Sequence, residues 1–374
     1  ASKEVAVRLI VESNGIDLDV PEFEIVTGRD VDRVDAARGY VGGGRGVSPY
    51  DNLVIDSDYI KQEAQEGRMQ QVLYAVSVRR PSGERLFRAP TQADHDALAH
   101  ASARLTADRA RLAAEGMLPT SEVPPGLKTA EPLRFGMGTW DSLFSDRQAL
   151  AHATFAEEFA RLSEEVRSAL DDEAEVVLLE LAMMHGKALN WNSRLASWDV
   201  GKQKVRSSFD THNLAFKWTF AEFDAARSLY PWCVDQVVYA YGGIASLMDE
   251  SGAPDMEHHA AVGRSVEVFQ GSAVDLPLET GSVIQVCMDP PYYDNVMYSE
   301  LSDFFYSWER GTLGRLIPEY FTEELTDKEN EAVANPARFA AMGRRKKELA
   351  DLDYETKMTS IFQEAWRVLR TDGV

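Results

Sequence analysis

Residues 289–295 read Asp-Pro-Pro-Tyr-Tyr-Asp-Asn and follow directly on the apolar run Val283-Ile284-Gln285-Val286-Cys287-Met288. An acid, two prolines and an aromatic ring in this order suit one task, the holding of an exocyclic amino group for methyl transfer. The Asp289 carboxylate and the carbonyl after it can accept the amino hydrogens and aim the nitrogen lone pair at a sulfonium methyl. Pro290 and Pro291 stiffen the turn and bring no backbone N–H to compete for those acceptors. Tyr292 offers a face on which a base extruded from its duplex can stack. No covalent nucleophile is needed. The same residues also fit a plainer description, an acidic loop stiffened by prolines with two surface tyrosines, and a bare DPPY arises by chance. Context separates the two: the chemistry needs this turn at the end of a buried strand and ahead of a helix. The run 283–288, bounded by turn residues, predicts that strand.

The elements around the turn must supply its frame. "SVEVFQGSAVDLP" (265–277) predicts a short strand, a Gly-Ser-Ala turn and an acid at Asp275. After a polar stretch, "YETKMTSIFQEAWRVLRTDGV" predicts an amphipathic helix with Met358, Ile361, Phe362, Ala365, Val368 and Leu369 at helical spacing. Strand, strand and helix in this order predict an α/β fold of the doubly wound kind. The next strand would begin where the sequence stops, so the chain is expected to be a fragment. Residues 311–350, polar and placed after the turn, are expected to form a mobile flap over a target base.

Three regions are expected: 1–115, an α+β accessory region; 116–255, mainly helical; and 256–374, carrying the turn. In the first, Val5–Ile10 and "PEFEIV" (21–26) read as strands, and 70–90 as a hairpin around Pro81-Ser82-Gly83. Gly42 to Gly46 marks a flexible turn that lacks the GK[ST] ending of a phosphate loop. A polar helix is expected over 92–115, before the proline-rich connector 117–132. In the second region Ser145 and Gln148 make a capping-box pattern, so a helix starts near 146 with Leu150, Phe155, Phe159, Leu162 and Val166 as its apolar stripe. The next helix, 173–188, should bury Met183 and Met184, and another spans 231–249 despite Gly242-Gly243. His185, His212, His258 and His259 read as structural, and no spacing makes a persuasive metal site. Residues 190–225 interleave aromatic, Asn and basic side chains; this suits either stacking on nucleic-acid bases or anchoring of a loop on the core.

Composition bounds the function. The net charge of −22 means that DNA binding must rest on a local basic surface. Arg344-Arg345-Lys346-Lys347 is the densest such cluster and Arg79-Arg80 a smaller one; either also suits a solvated face. No apolar stretch reaches the roughly 20 residues of a membrane span and no signal peptide opens the chain, so a cytoplasmic protein without membrane contact is expected. Cys233 and Cys287, which form no CxxC pair, are expected to be small buried hydrophobes.

The segment from Asp289 to Trp308 resembles motif IV and its flank in large bacterial adenine-specific DNA methylases of the zinc-ribbon-containing type, which often sit in phage-defence clusters. The similarity extends to "FGMGTWDSLFSDRQALAHATF", "NSRLASW", "FDTHNLAFKWTFAEF", "GSAVDLP" and "EAWRVLRTDGV", roughly residues 116 to 374. The resemblance implies a Rossmann-like S-adenosylmethionine-dependent domain with a long insertion, and N6-methylation of adenine in DNA. It makes Asp289, Pro290 and Tyr292 the amino-group and base contacts, with Pro291 as turn support. Tyr293, Asp294 and Asn295 match the extended motif and are expected at the substrate, while Asp275 is expected near the adenine end of the methyl donor. DNA, and other subunits of a defence system, are the partners implied. Two departures stand out. Nothing matches the family's glycine-rich donor motif, and where relatives carry zinc-ribbon cysteines this chain reads "GYVGGGRGVSPYDNLVI". Weak donor binding and no robust turnover by this chain alone are therefore expected. The alternatives are an RNA-base or N4-cytosine methyltransferase, or a non-catalytic DNA-recognition or assembly component.

Overall fold

β-branched and aromatic residues in short alternating runs favour strands, and they build the first of the two units into which the chain divides. The computed structural model describes residues 5–11, 21–34, 39–42, 45–248 and 267–374. Ala1–Arg111 with Pro132–Gly138 make one unit, and Leu112–Glu131 with Thr139–Val374 the other. The expected boundary at 255 and the residues His258 and His259 lie outside the described residues.

In the first unit β1 (Val5–Ile10) pairs antiparallel with β2 (Glu22–Thr27), Val5 opposite Thr27. β3 (Val41–Gly42), β4 (Arg45–Val47) and β5 (Val54–Asp56) form a three-stranded antiparallel sheet that leads into α1 (Ser57–Gln65). Asp56 starts this helix by accepting the Asp58 N–H at 2.8 Å. The hairpin expected near 80 is present as β6 (Val76–Arg79) and β7 (Arg85–Arg88), turning at Gly83 with φ +83°. Then α2 (Gln92–Ala114) begins beside Asp94, which accepts the Thr91 N–H at 2.7 Å and pairs with Arg88. The short α3 (Ala130–Arg134) follows the proline-rich connector.

The second unit is mainly helical. α4 (Asp146–Leu170) starts at Ser145 with the expected reciprocal cap: Ser145 N–H donates to Gln148 Oε1 at 2.9 Å, and Gln148 N–H to Ser145 Oγ at 3.3 Å. α5 (Ala174–Trp191), the hairpin β8 (Ser197–Asp199) and β9 (Lys204–Arg206), and α6 (Tyr230–Met248) come next, the last running through Gly242-Gly243. α7 (Tyr298–Glu309), the one-turn α8 (Leu313–Leu316) and α9 (Lys346–Val368) complete the unit. The core is aromatic. Phe144 stacks on Phe304 at 5.4 Å and meets Trp308 edge-on at 5.0 Å, and Phe209 closes on Phe304 at 5.3 Å. Trp140, Phe304 and Trp308 are wholly buried, each contributing a large apolar area.

Several side chains face elsewhere than their spacing suggests. On α4 the buried face runs through Ala149, His152, Ala153, Ala156 and Phe159, and Leu162 is exposed; small residues win that face because they let α5 come close. On α5 Met184 is buried but Met183 is half exposed, as it must be when neighbours on a helix are 100° apart. His212 is exposed, whereas His185 is buried in the core.

The largest correction concerns the strand expected at 283–288. This run is extended but exposed, with Ile284 65% accessible and Cys287 also on the surface. Its pairing comes from residues 368–374: Val283 N–H donates to Val368 O and Arg370 N–H to Val283 O, both at 2.9 Å, in the parallel sense. A parallel strand is buried only between neighbours on both edges and helices on both faces; among the described residues that surrounding is not formed, and the run is open. Residues 267–270 likewise make no strand. Among the described residues the fold is mixed α/β with small antiparallel sheets.

Candidate functional site

The chain passes from open surface to core within a few residues of the Asp-Pro-Pro-Tyr turn. Asp289 and Tyr292 are exposed, Pro290 and Pro291 partly covered, and Asp294 and Asn295 exposed. Val296 and Met297 are then buried, and α7 carries Phe304 and Trp308 into the aromatic core. Apolar residues at 296, 297, 304 and 308 therefore moor one side of the turn. On its other side, the extended residues 283–286 are tied to 368–374 as described.

Tyr293 gives the turn its shape. Its φ is +48°, a left-handed backbone conformation that is unfavourable for a residue with a bulky side chain and persists only when the surroundings hold it. Four contacts do so. Tyr293 O accepts the Ala334 N–H at 2.9 Å, and its hydroxyl donates to Asp351 of α9. The Tyr354 ring of α9 meets the Tyr293 ring edge-on at 5.2 Å, and its hydroxyl donates to Pro291 O at 3.0 Å. That bond to Asp351 pushes the Tyr293 hydroxyl up to about 12. Tyr293 is thus turned toward α9, while Tyr292 keeps 62% of its surface accessible. The extended motif expected at the substrate divides: Tyr292 and Asp289 face outward, and Tyr293 anchors the turn.

A polar cluster backs the turn. Glu300, nearly buried, accepts the Lys128 backbone N–H at 2.8 Å and Asn335 Nδ2 at 2.7 Å, and Lys128 Nζ donates to Asn295 O at 3.1 Å. Gly126 is required there, since a Cβ at this position would lie 2.5 Å from Glu300 Oε2. Asp303, 1% exposed, pairs with Lys328 at 2.6 Å and accepts from Thr326. The partners of these two buried acids come from the segment 311–350 and, for Glu300, from the Lys128 backbone as well. The flap expected there is fastened to α7 by Thr326, Lys328 and Asn335 and to α9 by Arg338, which pairs with Asp353 at 2.9 Å. Glu300 and Asp303 are three residues apart and so share one face of α7, a spacing legible in the sequence.

The donor side is less complete. Asp275 is exposed in a turn whose residues from Gly271 onward are exposed as well. The next residue is fastened to α9: Leu276 N–H donates to Glu364 Oε1 at 2.8 Å, and Arg367 donates to Leu276 O at 3.2 Å. The Arg367 guanidinium beside Glu364 pulls that carboxyl down to about 2. Among the described residues no strand flanks this exposed turn, and the turn by itself does not enclose a nucleoside. Among the described residues no group of three or more His, Cys, Asp and Glu side chains is placed to hold a metal ion.

The aromatic stretch 190–225 anchors rather than projects. Asn192, 1% exposed, accepts the Phe223 N–H at 2.9 Å, and Ser193 bonds to Ser208 at 2.7 Å. Trp218 is its exposed ring. No helix of the described residues is long and apolar enough to cross a membrane. Comparison of the chain with protein-family models, curated proteins and solved structures found no match.

Proposed function

We propose that this protein acts in S-adenosylmethionine-dependent N6-methylation of adenine in DNA, and that the turn 289–295 is its target-base site, within a Rossmann-like α/β arrangement. One observation carries the reading. The turn leaves the carboxyl end of an extended segment paired in parallel with the residues after a helix, where ligands of α/β folds bind, and it presents Asp289 and Tyr292 outward while α9 holds Tyr293 from behind. In that posture Asp289 and Pro290 O accept the amino hydrogens, Tyr292 stacks on the base, and Pro291 O stays engaged by Tyr354. Asp275 and the turn are hung on the same helix; Tyr354 and Glu364, ten residues apart, are separated by about 15 Å along its axis at about 1.5 Å per residue.

The test is transfer of a labelled methyl group to DNA by the full-length protein and by Asp289→Ala. Incorporation should fall about a hundredfold or more in the variant, as it does when one positioned polar group is removed from a reacting centre. Equal incorporation overturns the role of the turn. Nucleoside analysis should find N6-methyladenine; N4-methylcytosine or a methylated RNA base would transfer the reading to its nearest alternative. The exposed stretch Gly271–Asp275 favours a second reading, a non-catalytic DNA-recognition or assembly component. DNA binding without any methyl incorporation by the full-length protein would select it.

A further inference from the structure

Helix α9 starts against the electrostatic preference of its own backbone. A helix N-terminus is the positive end of the macrodipole and favours acids, yet Arg344 and Arg345 precede this helix and Lys346 and Lys347 are its first two residues. All four are exposed. Gly343, at φ +58° and ψ −122°, turns the chain immediately before them. Glu348 is the acid of the first turn and pairs with Arg345 at 3.2 Å, with both side chains more than two-thirds exposed. The side chains of Arg344, Lys346 and Lys347 make no ion pair or hydrogen bond among the described residues. In a chain of net charge −22, cations have abundant acids to meet; three left without one, at a helix end that repels them, are arranged for an external anion.

Position identifies that anion. Lys347, Asp351 and Tyr354 fall at i, i+4 and i+7 and so share one face of α9. Asp351 and Tyr354 hold the turn, and Lys347 lies one helical turn before Asp351 and two before Tyr354, about 6 Å and about 10 Å along the axis. A base held at Tyr292 would bring its own strand's phosphates into that range. We propose that Arg344, Lys346 and Lys347 form a phosphate-contacting edge that grips the DNA backbone beside the turn. Naming DNA as the anion rests on the methyltransferase reading of the turn; the cationic edge itself does not. The edge positions the duplex and reads no sequence, as contacts to phosphate do.

The experiment measures binding of the full-length protein to a fluorescent mixed-sequence duplex over a sodium chloride series. Each phosphate contact contributes about 0.9 to the slope of log affinity against log salt. The triple variant Arg344→Gln, Lys346→Gln, Lys347→Gln should therefore lose about 2 to 3 units of slope, and the double variant Arg79→Gln, Arg80→Gln should keep the slope of the wild type. Thermal melting of the triple variant should stay level or rise, because cations leave a helix start, which separates lost binding from lost folding. A triple variant with the wild-type slope, or a wild type that does not bind the duplex, overturns the edge. Absence of methyl incorporation with the slope change intact would support the edge and overturn the methyltransferase reading alone.

Discussion

The aromatic core and the turn-bearing edge of the second unit are held by opposite means. Around Phe144, His152, Phe304 and Trp308, contact is dense and water is excluded, so shape is maintained by packing. Along 267–295 little is buried, and position is maintained by single hydrogen bonds from α9 and from Ala334. Packing is distributed over many weak contacts and tolerates the loss of any one polar bond. A tethered turn depends on each tether. The proposed target-base turn lies on the second kind of surface and borrows rigidity from the first through Val296, Met297 and α7.

The contrast can be broken first at Trp308. Trp308→Ala should cost about 3–5 kcal/mol in urea unfolding, the range for emptying a large buried aromatic site. A loss below about 1 kcal/mol would mean that this core is not packed as described.

Acid should act next, through the core. His152 Nε2 faces Asn192 O, which only accepts, so Nε2 carries the proton and Nδ1 accepts from the Tyr230 hydroxyl. Burial pulls His152 down to about 4, and pulls His185, whose ring nitrogens have no partner among the described residues, well below its ordinary range. Both are neutral when folded and take up a proton more readily when unfolded. Their contribution to stability should therefore be full above pH 6.5 and fall as the pH drops from 6.5 toward 4, by about 3 kcal/mol for His152 alone at about 1.36 kcal/mol per pH unit. Partly buried Glu309, pushed up to about 7, has the opposite sign, and stability falls as the pH rises from 4.5 through 7. Urea midpoints across pH 4 to 8 should show both limbs, with Glu309→Gln removing the alkaline one.

A smaller and more local effect belongs to the tether. Tyr354→Phe removes the bond to Pro291 O and should cost about 1 kcal/mol locally. Amide hydrogen exchange over 289–297 should quicken about fivefold, while the urea midpoint barely moves. Exchange that quickens throughout the helical core would erase the distinction between the two regions. The smallest effect is expected at Trp366, 79% exposed on α9, where Trp366→Ala should change stability by less than about 0.5 kcal/mol.

Where structure follows from local chemistry, the sequence is informative. The Ser145–Gln148 cap, the hairpin turning at Gly83 and the helix over 92–114 are set by residues a few positions apart and lie where those residues predict them, whereas the helix expected from Tyr354 begins eight residues earlier, at Lys346, inside the stretch expected as a flap. The turn was legible for the same reason, through Asp289, its prolines and Tyr292. What could not be read locally is burial. Val283 to Met288 has a strand's composition, but whether it is covered depends on neighbours supplied by distant parts of the chain. Met183 and Leu162 are exposed although apolar, because the small residues Ala153, Ala156 and Ala182 set where the helices meet. Tyr293 reads as a substrate contact beside Tyr292 because the string is continuous; its partners Asp351 and Tyr354 lie about sixty residues away and leave no trace in the motif itself.

The left-handed Tyr293 also limits how portable the motif is. A peptide carrying only Asp289 to Asn295 would relax at that residue to an ordinary backbone conformation and lose the setting of Asp289 and Tyr292. Grafting the site onto another scaffold would require a helix with the Asp351–Tyr354 spacing and a strand-like donor in the place of Ala334. The unit of inheritance for this turn is the seven residues together with the helix that restrains them.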